Sequence, residues 1–211
     1  MGIKDRKLKH KEQLRQQILE AAKTLFLTEG YEATSIRKIA AAIEFSPTTI
    51  YLYYKDKAEI AHALHQEGFK LFGQGFSNLQ HINDAFERLK AMGESYIQFA
   101  VDNRAYYELM FVMREPLDFI HNDKDVCWAE GQQAFHFLTS CIQQCKEAGY
   151  FKNFDTETFA LLIWSTMHGL CTLHLHGHMS HVVEQKNISC GVENAIHRTF
   201  EAFEQLLSVH K

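Results

Sequence analysis

Apolar residues return at steps of three and four along most of this chain. Leu14, Ile18, Ala21, Ala22, Leu25 and Phe26 form the first stripe, which predicts an amphipathic helix over 10–29. Gly30 follows, free to take the left-handed geometry that stops a helix. Thr34 or Ser35 then caps a short helix that turns Ile36, Ile39, Ala40 and Ile43 inward. Glu44 and Phe45 lead to Ser46-Pro47, a serine cap with proline at the first helical position. The helix so started, over 47–54, reaches a corner at Lys55-Asp56-Lys57, where Asp56 caps a fourth helix carried by Ile60, Leu64, Phe69 and Phe72. Gly73 and Gly75 are placed to fray its end. Further on, 84–102, 105–113, 124–148, 156–176 and 192–209 also read as helices, and no Val/Ile/Thr alternation interrupts them. The pattern predicts an all-α protein in two parts. Residues 1–60 form a three-helix unit with an N-terminal arm, a helix at about 57–72 is shared, and 73–211 form a larger helical domain.

Composition supports this picture. Two prolines in 211 residues leave few helix breakers. Five cysteines, Cys127, Cys141, Cys145, Cys171 and Cys190, are an odd number without a framework spacing, which suits reduced thiols. Cys141 and Cys145, one helical turn apart, read as buried thiols rather than as a redox pair. No uninterrupted apolar run approaches the roughly 20 residues of a membrane span, and the N-terminus has no apolar signal core. A cytoplasmic protein is expected.

Charge is uneven. Net charge is −4 overall, yet residues 1–60 hold 11 Lys/Arg against 8 Asp/Glu. Lys4, Arg6, Lys7, Lys9, Lys11 and Arg15 crowd the first 15 residues. A basic arm beside a small domain points to a polyanion, with a merely solvated tail as the alternative.

Set at 100° per residue, residues 47–54 sort by direction. Ile50 and Tyr54 face the first two helices, Thr48, Thr49 and Leu52 face outward, and Tyr51 and Tyr53 lie on the flanks. A small, hydroxyl-bearing and apolar face without acids suits the DNA major groove, whose base edges offer donors, acceptors and thymine methyls. The preceding helix would cross the backbone, with Thr34 and Ser35 at its start placed for a phosphate. Lys55 and Lys57 add charge at the far end. Packing aromatics and solvated lysines are the plainer reading of the same residues.

The stretch RQQILEAAKTLFLTEGYEATSIRKIAAAIEFSPTTIYLYYKDKAEI resembles the N-terminal domain of TetR-type transcriptional regulators. The resemblance implies sequence-specific DNA binding, with Thr48, Thr49, Leu52 and Tyr53 at or near bases and Tyr51 and Lys57 on phosphates. Arg37 matches a position that reaches a base in some members, with a solvent or phosphate contact as the alternative. Ser46 and Pro47 belong to the same segment, but Pro47-Thr48 replaces the Lys-Gly common there, so no operator sequence can be carried over. Tyr106 to Phe111 and WSTMHGL resemble a sub-type with a Trp-His-Gly signature, although Met167 stands at the tryptophan position.

The family also implies a homodimer on a palindromic DNA operator, most often a repressor, released by a small-molecule effector, with activation as the alternative. The last two helices of the pattern offer apolar surface for the dimer: Phe159, Ile163, Thr166, Leu170 and Leu173, and Val192, Ile196, Thr199, Phe200, Phe203 and Leu207. By resemblance, a largely apolar effector cavity draws on Tyr96, Phe99, Tyr107, Met110, Phe111, Phe135, Trp164, Met167 and His168, any of which can equally be core. The cluster His174, His176, His178 and His181 raises a metal site, but only His174 and His178 share a helical face, so a solvated loop is expected and no metal or other cofactor. No phosphate loop, nucleophile elbow or HExxH occurs, so no enzyme is expected. A helical adaptor or binding protein without DNA activity is the remaining alternative.

Overall fold

The computed structural model describes residues 3–114 and 128–209. Ten α-helices account for most of them: α1 Ile3–Glu29, α2 Ile36–Ala42, α3 Pro47–Tyr51, α4 Lys57–Ser77, α5 Ala85–Asp102, α6 Arg104–Tyr107, α7 Ala129–Glu147, α8 Thr156–Leu175, α9 His178–Lys186 and α10 Gly191–Ser208. No strand occurs among the described residues. The chain divides into two compact units within α4. One holds residues up to Gly68 together with 105–114 and Trp128, and the other holds 69–104 and 129–209.

In the first unit the predicted inward stripe is the core. Leu14, Ile18, Ala22 and Phe26 of α1 are buried, as are Ile39 and Ala40 of α2, Ile50 of α3, Tyr54, and Ile60, Ala61 and Leu64 of α4. Full burial of an aliphatic side chain of this size contributes about 1.5–3 kcal/mol, so this stripe fixes where α3 lies. Gly30 takes φ +85° and ends α1. α6 continues into a π-helical turn, Glu108–Val112, where a regular helix over 105–113 is expected. The turn seats Met110 against α4 at Gly68, where a β-carbon would lie 2.5 Å from the Met110 sulfur.

The second unit packs α5 against α7 and α8, and α8 against α7, α9 and α10. Asp84 caps α5 by accepting from the N–H groups of Phe86 and Glu87, both at 2.9 Å. Phe86 stacks on Tyr150 with ring centroids 4.6 Å apart. α5 meets α10 at Gly93, where a β-carbon would lie 2.3 Å from the Phe200 ring.

Several boundaries differ from the sequence reading. α1 begins at Ile3, so the basic arm is helical. Gly73 and Gly75 do not end α4, because the helix runs on to Ser77. The expected histidine loop is instead a helix corner: Gly177 at φ +77° separates α8, which carries His174, from α9, which carries His178 and His181. The start of the helix expected over 124–148 lies outside the described residues up to 127. α8 is the one described helix long and apolar enough to cross a membrane by length and composition, although Ser165, Thr166 and His168 break its apolar run.

Candidate nucleic-acid interface

Two turns place α3. Thr34 is only 2% exposed and donates its hydroxyl to Gly30 O at 2.8 Å. It therefore locks the turn from inside, contrary to the phosphate contact expected of it. Ser35 caps α2 by accepting from Lys38 N at 3.3 Å. Between α2 and α3, Glu44 adopts φ +59° and Phe45 N donates to Ala40 O at 2.9 Å.

Ser46 caps α3, its oxygen accepting from Thr49 N at 3.2 Å and lying 2.9 Å from the Thr49 hydroxyl. Pro47 occupies the first helical position. The helix proper ends at Tyr51, short of the expected 54, but Tyr54 N still donates to Ile50 O at 3.1 Å. The expected directions hold through this last turn. Ile50 and Tyr54 are buried; Tyr51 is 56% and Leu52 76% exposed, and Thr48 is exposed beside them. Water is a poor neighbour for an exposed leucine and tyrosine, and neither is drawn back to the core.

The base of this face is tied down. Tyr54 accepts from Arg15 Nε at 3.1 Å. Burial raises the Tyr54 pKa, and the same bond raises that of Arg15. Lys57 donates to Tyr31 O at 2.6 Å and lies 3.9 Å from the centre of the Tyr31 ring. In this arrangement it anchors the start of α4 rather than offering its charge outward. Arg37 and Lys55 are exposed. Half-buried Tyr53 lines a groove of about 490 Å³ with Arg6, Lys7, His10 and Lys11 of α1. The sequence shows the arm's charge but not this alignment, which needs α1 to stay helical to Ile3 and so carry its cations along one side toward Tyr53.

The second unit sorts the expected dimer residues into two sets. Phe159, Ile163, Leu170, Ile196, Phe200 and Leu207 are buried within their own unit and hold its core, which corrects their assignment to a partner surface. Val192 and Phe203 are half-buried. Thr166, Leu173 and Thr199 lie toward the open side, with Leu162 at 54% and Leu206 at 66% exposure on the same two helices. Leu162, Thr166, Gly169 and Leu173 follow one helical stripe, and a β-carbon on Gly169 would meet nothing within 4 Å. The hydroxyls of Ser165, Thr166 and Thr199 donate to Leu161 O, Leu162 O and Ala195 O at 2.6–2.8 Å. Their outward atoms are then methyls and methylenes, so the open stripe is more apolar than its sequence.

The expected effector residues also divide. Tyr107 and Met110, both buried, and half-buried Phe111 belong to the first unit. Tyr96, Phe99, Phe135, Trp164, Met167 and His168 belong to the second. There the Tyr96 hydroxyl lies 3.4 Å from His168 Nδ1, and Phe72 packs edge-on against Tyr96 and Phe99 with centroids at 5.4 and 5.0 Å. Phe135 meets Trp164 at 6.4 Å. Burial lowers the His168 pKa, which favours a neutral ring among these aromatics.

Residues 18–64 match the family described as bacterial regulatory proteins, tetR family, and residues 89–190 match the tetracyclin repressor-like C-terminal domain. Over 60 residues the chain is 38% identical to the HTH-type transcriptional regulator TcmR of Streptomyces glaucescens, covering 28% of this chain and 25% of that protein. The chain spans between a quarter and a half of the length of the curated relatives it matches. A TetR-family transcriptional regulator from Syntrophomonas wolfei has a similar fold, with a TM-score of 0.70 at 22% identity over 94% of this chain and 96% of that one. A transcriptional regulator from Saccharomonospora viridis, solved in complex with choline, gives a TM-score of 0.67 at 20% identity over 92% and 96%.

Proposed function

Because the chain belongs to the TetR family of transcriptional regulators, we propose that it binds duplex DNA sequence-specifically through α3 and represses transcription until a small molecule releases it. The observation that carries this reading is the outward face of α3. Thr48, Tyr51 and Leu52 stand exposed on a helix whose other side is locked into the core, and the stretch 46–54 contains no acid. Thr48 and Leu52 suit base edges and thymine methyls, and Thr49 lies beside them with its hydroxyl turned to Ser46. Tyr51, Tyr53, Ser35, Arg37 and Lys55 suit the phosphates that set position. The groove between Tyr53 and the arm extends the positive surface for backbone contacts.

One such helix spans few base pairs. We place a homodimer interface on the open stripe Leu162–Leu173 of α8 and on Thr199 and Leu206 of α10, where apolar surface lies uncovered among the described residues. Dimers of helix-turn-helix proteins hold their reading helices about 34–36 Å apart on a two-fold operator. The effector would lodge beside the Tyr96–His168 pair, within an aromatic lining that suits a largely apolar molecule. The choline complex of the Saccharomonospora viridis protein supports a small-molecule effector for this fold. Release requires only that the effector prefer a state with the wrong helix spacing. Such a protein acts in the cytoplasm, beside the chromosome.

Selection of genomic fragments on the purified protein, followed by anisotropy titration of the recovered site, tests the reading. A two-fold symmetric site bound by a dimer supports it. A dimer that recovers no site and has no affinity for duplex DNA at low salt would leave the helical-adaptor reading standing.

A further inference from the structure

In the second unit, the turn after α4, the start of α5 and one side of α7 border a cleft of about 220 Å³, lined by Gln80, Arg88, Phe137, Ser140, Cys141 and Gln144. None of these residues is an acid. Half-buried Arg88 donates to Ile82 O at 2.5 Å and to Gln144 Oε1, and both acceptors are uncharged. Among the described residues Arg88 has no carboxylate in ion-pair reach, whereas Lys90, two residues on, holds Glu87 at 2.7 Å. Asp84, one turn back, uses its Oδ1 to cap α5 through Phe86 N and Glu87 N. We propose that this cleft binds a small carboxylate carried on an apolar body, with Arg88 as its charge partner.

The chemistry of the lining selects that class. A guanidinium stays charged and presents its N–H groups as a planar fork. Ile82 and Gln144 fix the plane by taking one N–H each, so the fork is set before a ligand arrives and little rotamer freedom is lost on binding. Its other N–H groups match the paired oxygens of a carboxylate, and such charge-assisted bonds are stronger than those to neutral carbonyls. Gln144, with its oxygen turned to Arg88, keeps its amide N–H groups to donate, and the Gln80 amide and Ser140 hydroxyl are further donors.

The remaining lining is apolar. Phe137 lies flat against Phe76, with ring centroids 5.8 Å apart and planes 4° apart. Cys141 is buried and its thiol donates to Ala85 O at 3.5 Å, so it adds bulk to the cleft rather than a donor. The volume is smaller than that of drug-sized pockets and suits a carboxylate on a single ring or a short chain. The lining shares no residue with the aromatic cluster around Tyr96 and His168. The proposal therefore stands independently of the effector and of DNA binding.

The test titrates the full chain with benzoate by saturation-transfer NMR, with benzamide and inorganic phosphate as comparisons. Benzoate should bind saturably. Benzamide, the ring without the charge, should bind about tenfold more weakly, and phosphate, the charge without the ring, should displace benzoate only at much higher concentration. Arg88→Met should weaken benzoate binding about tenfold, and Ser140→Ala about threefold. Arg88 also fastens the turn at Ile82, so Ser140→Ala, which leaves that bond in place, decides the matter if circular dichroism shows the Arg88 variant unfolded. Benzoate binding unchanged by these substitutions in folded protein would overturn the proposal. So would equal binding of benzoate and benzamide, displacement by phosphate at matching concentration, or no saturable benzoate binding to the wild-type chain.

Discussion

Two surfaces of this protein leave apolar side chains in water, and they differ in what surrounds them. On α3, Tyr51 and Leu52 stand beside Thr48, with Arg37, Lys55 and the cationic groove of the arm around them. On α8, Leu162 and Leu173 stand in a stripe with Thr166 and Gly169, where the hydroxyls are turned onto the helix's own carbonyls. The first surface offers shape with positive charge, which suits a grooved polyanion. The second offers shape without charge, which suits another copy of itself. The neighbours of an exposed leucine, more than the leucine, identify its partner.

The comparison breaks most visibly if the second surface is charged. The double substitution Leu162→Asp and Leu206→Asp should turn a dimer into a monomer by analytical ultracentrifugation. It should weaken operator binding by more than about 100-fold, because two buried carboxylates cost several kcal/mol. A variant that stays dimeric would move the interface elsewhere.

A core position serves as control, since it should alter stability without altering either surface. Burial, followed by the neighbouring His62, lowers the His65 pKa to about 4. The unfolded chain takes up this proton near pH 6.5 and the folded chain only near pH 4. Stability is therefore full above about pH 6.5 and falls as the pH drops toward 4, on the order of 3 kcal/mol for this group. His65→Phe should flatten that part of the pH profile in urea denaturation, and an unchanged slope would contradict it.

At the first surface, Thr48→Ala or Leu52→Ala should each weaken operator binding roughly tenfold, with less effect on unrelated DNA, as expected of base contacts worth about 1–3 kcal/mol. Lys7→Ala or Lys11→Ala should act more gently and on all sequences alike, lowering the slope of log affinity against log salt by about 1 each. Equal loss on operator and random DNA from Thr48→Ala would remove it from base reading.

The α3 surface was largely legible in the sequence, and the reason is local. A five-residue helix with a Ser-Pro start and a single inward pair, Ile50 and Tyr54, leaves one direction for everything else. What escaped were the turn contact of Thr34 with Gly30 and two contacts set by distant residues, Lys57 to Tyr31 and Tyr53 to the arm. The α8 and α10 surfaces were harder to read because those helices are apolar on more than one side. Periodicity found Phe159, Ile163 and Phe200, but these fill the unit's own core, and the open stripe runs beside them. Tyr107 and Met110 came from the family resemblance rather than from spacing, and both are buried in the first unit, Met110 within the π-helical turn after α6. α9 was missed because four histidines around Gly177 look like solvated loop, although the glycine only turns the corner between two helices.

The central claim is that the outward face of α3 reads DNA. It is tested most directly by titrating the selected operator with the wild-type chain and with Tyr51→Ala and Arg37→Ala, while sedimentation follows oligomeric state. The account predicts unchanged dimers in all three and operator binding weakened roughly tenfold in each variant. Operator affinity unchanged by both substitutions would contradict it.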